Sequence, residues 1–247
     1  MNWERELKLA SDAVAAAIPH LKRRMQRNAG IQSVVGKDIK TLADIEAEQA
    51  ILQALQPSNI PIIAEESSDA NNSHDGLRWL VDPLDGTMNF SRGFPIYSVS
   101  IALWDGMQPI LGVIADPINS KTYSGISGQG AYCNGQSIYV SKTSERSQAV
   151  LATGFPTHRD YTEKSLMSFI DRVQQYKKIR MIGSAAMSLA MVACGTFDAY
   201  YEEDIMIWDI AAGGAITLAA GGSFSVAPGS QPHSVIAHAS NNRIPLS

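Results

Sequence analysis

Cysteine is scarce: the chain of 247 residues holds only Cys133 and Cys194, with no C-x-x-C. A small disulfide-stapled scaffold does not follow from so few, and a reducing cytoplasm is the expected setting. An excess of positive charge is also lacking. The net charge is −4, and no long basic block interrupts the sequence. Nucleic acid is disfavoured as the main ligand, because tracking a phosphate backbone needs a clustered basic surface. The apolar runs are too short or too polar to span a bilayer. The first residues, Met1-Asn2-Trp3-Glu4-Arg5-Glu6, put acids where a signal peptide needs bases. His20, His74, His158, His233 and His238 are scattered, without H-x-H or H-E-x-x-H spacing, so a histidine-held zinc is not expected. No nucleophile elbow and no Ser-His-Asp arrangement is visible. The stretch Gly128 to Gly135 lacks both G-x-G-x-x-G spacing and a Gly-Lys-Ser/Thr ending, and reads as a hairpin instead of a phosphate loop.

What is present is a globular chain, 45% hydrophobic, long enough for one large domain or two fused halves. Trp3, Leu7, Ala10, Val14, Ile18, Leu21 and Met25 recur at helical spacing, with Pro19 as the candidate kink. Lys22, Arg23, Arg24 and Arg27 read as a solvated last turn that complements the helix dipole. A second helix is expected over 42–55, opened by Thr41 and Asp44 as a capping box. Strands are expected over 60–64, 78–82, 97–104, 110–115 and 121–125, with turns at Asp105-Gly106 and Asn134-Gly135. After Ser144 strands (150–153, 178–182, 197–202, 234–239) alternate with helices (162–174, 184–194, 208–220). The class is α/β, and the polar stretch 141–148 divides residues 1–144 from 145–247 as two packed halves of one catalytic unit.

Three acidic clusters end a strand or open a helix: Ala64-Glu65-Glu66-Ser67, Asp82-Pro83-Leu84-Asp85-Gly86-Thr87 and Trp208-Asp209-Ile210. A carboxylate at the end of an apolar strand is costly unless something pairs with it. Pro83 fixes φ and Gly86 allows a sharp turn, so Asp85 is expected to fold back beside Asp82. Carboxylates that close need a shared cation or proton. Hard oxygen donors point to magnesium. On residues alone, an ordinary Asp-Pro turn is an equal reading. Asp44 also reads as a helix cap, Asp209 as an N-cap, and Glu202 in Glu202-Glu203-Asp204, by itself, as a surface charge run.

In this order, with Asn89-Phe90, Phe94-Pro95, Ser98 to Leu103, Gly130 to Gly135 and Arg180 to Ala186, the clusters resemble the signatures of the inositol monophosphatase family over nearly the whole chain. The resemblance implies a layered α-β-α-β-α sandwich with two mixed sheets, like other sugar phosphatases, usually as a homodimer. It implies magnesium-dependent, lithium-sensitive hydrolysis of a small polyol phosphate, inositol 1-phosphate first. Glu65, Asp82 and the Leu84 carbonyl would hold one ion, Asp82, Asp85 and Asp209 a second, and Glu65 would help with a weaker third. Thr87, bonded to Asp44, would orient the attacking water, with Glu65 beside them. Gly86 and Thr87 would bind phosphate through N–H groups. Asp85, Gly183, Ser184, Ala185, Glu202 and Asp209 would meet substrate. The compact segment Gly36 to Thr41 departs from the family's loop for the third ion. Phosphatases for 3′-phosphoadenosine 5′-phosphate, fructose 1,6-bisphosphate or histidinol phosphate share the same signatures, and a catalytically silent binding protein on the same fold is the alternative from another class.

Overall fold

The structure, a computed structural model, describes residues 2–25, 31–35, 38–68, 75–155 and 160–245, with backbone alone over 31–35 and 38–40. Met1, Arg27, Gly36, Lys37, His74 and His158 of the sequence reading lie outside the described residues. Helix α1 (Glu4–Met25) runs unbroken through Pro19 and buries Ala10, Ala13, Val14, Ala17 and Leu21. Its basic end is not simply solvated: Arg24 forms an ion pair with Glu46 of α2 (Leu42–Leu55). Between the helices, β1 (Ile31–Val35) and β2 (Asp38–Thr41) form a small antiparallel hairpin.

A seven-stranded sheet follows, in spatial order β3 (Ile62–Ala64), β4 (Leu77–Asp85), β5 (Ser98–Asp105), β6 (Gln108–Asp116), β7 (Lys121–Ile126), β8 (Gly130–Cys133) and β9 (Gln136–Ile138). Only β3 and β4 pair parallel in this sheet. The expected hairpin at Asn134-Gly135 is present, with both residues at positive φ between β8 and β9. A short α3 (Thr87–Ser91) follows β4.

The second half supplies β10 (Val150–Thr153), α4 (Glu163–Val173), β11 (Lys178–Arg180), α5 (Ala185–Ala193), β12 (Ala199–Met206), α6 (Ile207–Ala219), β13 (Ser223–Pro228) and β14 (Ser234–Ser240). Its sheet runs β11-β10-β12-β14-β13, parallel across the first three strands and antiparallel beyond. Helices α1 and α2 cover one face of the seven-stranded sheet. Helices α5 and α6 fill the space between the two sheets, where Ile63, Leu80 and Trp104 share one core with Ala152, Tyr200 and Trp208. Val173 and Tyr176, from α4 and the turn after it, pack with Tyr201 on the outer face of the five-stranded sheet. The expected five-layer sandwich with two mixed sheets is therefore the observed one.

Contact between α6 and the larger sheet is close. At Gly112 of β6 an added Cβ would stand 2.3 Å from the Ala212 carbonyl oxygen, a backbone atom with little room to yield. Gly112→Ala should therefore destabilise the protein by about 1–3 kcal/mol through overpacking. That is several degrees of Tm in a chain this size, and an unchanged thermal melt would contradict the packing described.

Candidate metal and substrate site

The site starts from an irregularity in β4. Asp82 stands opposite Ser100 and Asp85 opposite Ser98, so three steps on β4 match two on β5. The extra residue is a β-bulge at Pro83-Leu84, where proline's missing N–H costs the ladder nothing. Strict alternation would send residues three apart to opposite faces. The bulge resets the count, and both carboxylates face α5 and α6. The strand thus continues through Asp85, where a turn directly after Asp82 was expected. Asp82 Oδ1 takes the Leu84 N–H at 2.9 Å, and the chain turns only at Gly86, φ 92°.

Glu65 follows β3 and Asp209 lies in the first turn of α6, whose N-cap is Met206. The N-cap reading of Asp209 is thereby replaced by a first-turn position near the positive end of the helix dipole. Carboxylate oxygens of Glu65, Asp82 and Asp209 all lie within 4.8 Å of one another. Burial pushes the Glu65 carboxyl up to about 8, and the Glu66 charge adds to it. Burial, then the charges of Glu65 and Asp209, drives Asp82 well above its ordinary range. Asp209 moves the same way, through burial and then Glu65 and Asp85. Three carboxyls this close cannot all ionise unless a proton or a cation is shared. Hard oxygens at this spacing suit a divalent cation of the magnesium type.

Asp85 is satisfied differently. It accepts the N–H groups of Ala185 and Ala186 at 3.1 and 3.0 Å and the Ser98 hydroxyl at 3.2 Å. The Ser184 hydroxyl, at the N-cap of α5, donates as well. These bonds oppose the effect of burial, which still raises the carboxyl to about 6.

Asp44 has two tasks at once. Oδ2 accepts the Thr41 N–H at 2.7 Å and the Thr41 hydroxyl, completing the capping box of α2. Oδ1 accepts the Thr87 hydroxyl at 3.1 Å. The sequence left helix cap and Thr87 partner as rivals; both are present. The backbone N–H of Glu66 donates to Glu48 at 2.9 Å. Glu202 is buried on β12, not on a surface charge run, and it lines a cavity of about 230 Å³ with Asp85, Ser184, Ala185 and Asp209.

The sequence pattern of the inositol monophosphatase family matches residues 2–244. The chain belongs to that family. It is a phosphatase of phosphate monoesters, of a metal-dependent kind. It is 40% identical to inositol monophosphatase 2 of Solanum lycopersicum, over 75% of this chain and 73% of that one. It is 34% identical to a fructose-1,6-bisphosphatase/inositol-1-monophosphatase of Aquifex aeolicus, over 91% and 87%. The solved inositol monophosphatase of Anabaena (Nostoc) sp. superposes with a TM-score of 0.83 at 32% identity, over 98% of this chain and 93% of that one.

Several residues of this phosphatase site had no role in the sequence reading. Ser98 is read only from the bulged β4–β5 register. Thr153, Gly154 and Phe155 line the cavity from the end of β10. The Asn89 side-chain amide donates to the carbonyls of Ile96 and Ile182 at 2.7 and 2.8 Å and of Gly183 at 3.2 Å. It thereby ties α3 to the segment that enters α5. The motif Asn89-Phe90 was visible, but two of the three partners of Asn89, Ile182 and Gly183, lie 93 and 94 residues away.

Raised carboxyls have a direct thermodynamic consequence. Glu65 and Asp85 hold their protons in the folded state to about 8 and about 6, but in the unfolded chain only to the ordinary range near 4. The folded state then binds more protons, so stability falls as pH rises through that window. Melting in chelator should show Tm falling between pH 5 and 8 on this account, and magnesium should restore most of the loss at the upper end. A metal-free Tm that rises steadily over the window would contradict the geometry.

Proposed function

We propose that this phosphatase hydrolyses the monophosphate of a small neutral polyol, inositol 1-phosphate in preference, with magnesium as its cation. The substrate class rests on the charge of the cavity wall. Among its described lining residues are the carboxylates of Asp85, Glu202 and Asp209, and no lysine or arginine. One phosphate can be neutralised by cations gathered at the acidic cluster. A second phosphate, as in fructose 1,6-bisphosphate or 3′-phosphoadenosine 5′-phosphate, would meet the carboxylates of this described wall. Sugar hydroxyls instead donate well to Glu202.

The residues that would hold magnesium are Glu65, Asp82 and the Leu84 carbonyl for one ion, and Asp82, Asp85 and Asp209 for another, with Glu65 serving a weaker third. Bound magnesium supplies charge neutralisation at the phosphoryl and leaving oxygens and lowers the pKa of water. Thr87 orients that water. Its hydroxyl has one proton and two acceptors in reach, Asp44 at 3.1 Å and the Leu84 carbonyl at 3.0 Å. Donation to Asp44 leaves the Thr87 oxygen free to accept from water. Burial lifts Asp44 to about 6 against the Thr41 bonds, so at neutral pH it is mainly the accepting carboxylate. Glu65 completes this side of the site. The N–H groups of Gly86 and Thr87 receive the phosphate, and Gly183, Ser184 and Ala185 face the alcohol. Phosphoryl transfer demands positioning and charge neutralisation above all, so direct in-line attack by water is the reading, with no phosphoenzyme.

Residues 1–144 supply Glu65, Asp82 and Thr87, and 145–247 supply Asp209 and Glu202, so the two halves act as one catalytic unit in this reading. A cytoplasmic homodimer belongs to it as well. Free Cys133 and Cys194 accord with a reducing compartment. No helix among the described residues is long and apolar enough to cross a membrane.

Activity should vanish on exhaustive chelation and return with magnesium. Asp209→Asn should lower kcat by several orders of magnitude, because it removes charge where the leaving oxygen is stabilised. Near-normal turnover by that variant, or by chelated enzyme, would defeat the metal assignment.

Substrate choice is tested separately, by kcat/KM for inositol 1-phosphate against fructose 1,6-bisphosphate and 3′-phosphoadenosine 5′-phosphate. Inositol 1-phosphate should win. Glu202→Ala should cost it about 1–3 kcal/mol, roughly five- to 150-fold in KM, and cost an aryl phosphate much less. Preference for either bisphosphate would keep the phosphatase and overturn the substrate.

A further inference from the structure

Tyr200 and Glu202 are two residues apart on β12, so their side chains leave the same face of the sheet. The Tyr200 hydroxyl donates to Glu202 Oε2 at 2.7 Å. Its ring is fully buried in the core between the sheets. Burial first, then the neighbouring Glu202 charge, pushes the phenol well above its ordinary value, so it remains a donor. The other side of the carboxylate meets Gly154, directly after β10. A Cβ at Gly154 would stand 2.5 Å from Glu202 Oε1 and 3.0 Å from Cδ. Parallel pairing holds β10 against β12, with Thr153 beside Tyr201, and the Thr153 hydroxyl donates to the Tyr201 carbonyl at 2.6 Å. The Glu202 carboxylate therefore occupies the space that a side chain at Gly154 would take, with the Tyr200 phenol bonded to its other oxygen.

We propose that Tyr200 and Gly154 are positioning residues for substrate specificity, setting the Glu202 carboxylate to accept a hydrogen bond from a hydroxyl of the alcohol half of the substrate. This rests on the reading of Glu202 given above. A carboxylate already held need not be ordered when substrate binds, which favours affinity for the matching alcohol. It also discriminates, because only an alcohol with a hydroxyl at that place adds a charge-assisted hydrogen bond to the carboxylate. A longer side chain at residue 154 would displace the carboxylate even though the acid itself is retained.

The test is a double-mutant cycle with inositol 1-phosphate as substrate. Tyr200→Phe keeps the buried ring and removes the donor; Gly154→Ala adds the interfering Cβ. Each is made alone and in the Glu202→Ala background, with Tm recorded alongside. Each single variant should raise KM about tenfold, the effect of one charge-assisted hydrogen bond, with kcat much less affected. In Glu202→Ala neither should raise KM further. If Glu202→Ala raises KM but the other two do not, this inference is overturned and the reading of Glu202 stands. Additive effects of Tyr200→Phe and Glu202→Ala overturn it also, since Tyr200 would then not act through the carboxylate. If Glu202→Ala has no effect, the reading beneath it has failed. Should Tyr200→Phe not fold, Gly154→Ala decides the matter alone by the same cycle.

Discussion

Carboxyl oxygens of Glu65, Asp82 and Asp209, held within 4.8 Å of one another with Asp82 buried and the other two half-buried, repel strongly, and the surrounding architecture is arranged around that repulsion. Asp85 escapes it through protein donors: two N–H groups from the first turn of α5 and the hydroxyls of Ser98 and Ser184. Asp209 is eased by its place at the N-terminus of α6. What remains unbalanced is the group of three, whose repulsion a shared proton or a cation would relieve. The folded protein thus carries an electrostatic deficit where a metal-dependent phosphatase needs positive charge, and a cation bound there would stabilise the fold as well.

Holding Asp209 against Asp82 requires α6 to lie at a fixed height and register on the seven-stranded sheet. Polar contacts set the register: the Ser100 hydroxyl donates to the Trp208 carbonyl at 3.4 Å, and the Trp104 indole to the Ala211 carbonyl at 3.2 Å. Gly112 sets the height by allowing the helix backbone to approach the strand. Ser100 stands opposite Asp82 itself, so the strand that carries one acid is registered by its neighbour to the helix that carries the other. Packing in the core and ligand geometry are in this sense the same constraint.

Where local chemistry decides structure, the sequence was legible. Helix α2 occupies 42–55 as expected, because Thr41 and Asp44 state its start. The strand at 150–153 and the Asn134-Gly135 turn were equally plain. Strand β4 was read three residues short, because Pro83 looks like a terminator and a bulge is visible only in the register with β5. Strand β12 was cut at Glu202 for a similar reason: its pairing with β14 shifts between Glu202 and Ile205, and Asp204 takes φ 56°. Strand β13, rich in serine and closed by proline at the sheet edge, has little strand signature of its own and was missed. Helix α3, with five residues, is too short for periodicity to appear. Among site residues, Glu65, Asp85 and Asp209 were recognisable at the ends or starts of elements, and Asp82 through its place in the Asp82-Pro83-Leu84-Asp85 motif. Gly154 and Tyr200 were not, since what they touch depends on which strands become neighbours.

Asp44 illustrates how one carboxylate can cap a helix and hold a second partner at once. Its two oxygens are separately engaged, one by the helix cap and the other by Thr87. An amide in its place offers a single acceptor oxygen. If that oxygen serves Thr87, the amide's N–H₂ faces the donors at Thr41, and the cap becomes repulsive. If it serves the cap, the N–H₂ faces the Thr87 hydroxyl, which then turns its proton to the Leu84 carbonyl or to water. Either way one task is lost, and only a carboxylate performs both. The start of α2 is thereby coupled to the orientation of the Thr87 hydroxyl, the group proposed above to orient the attacking water.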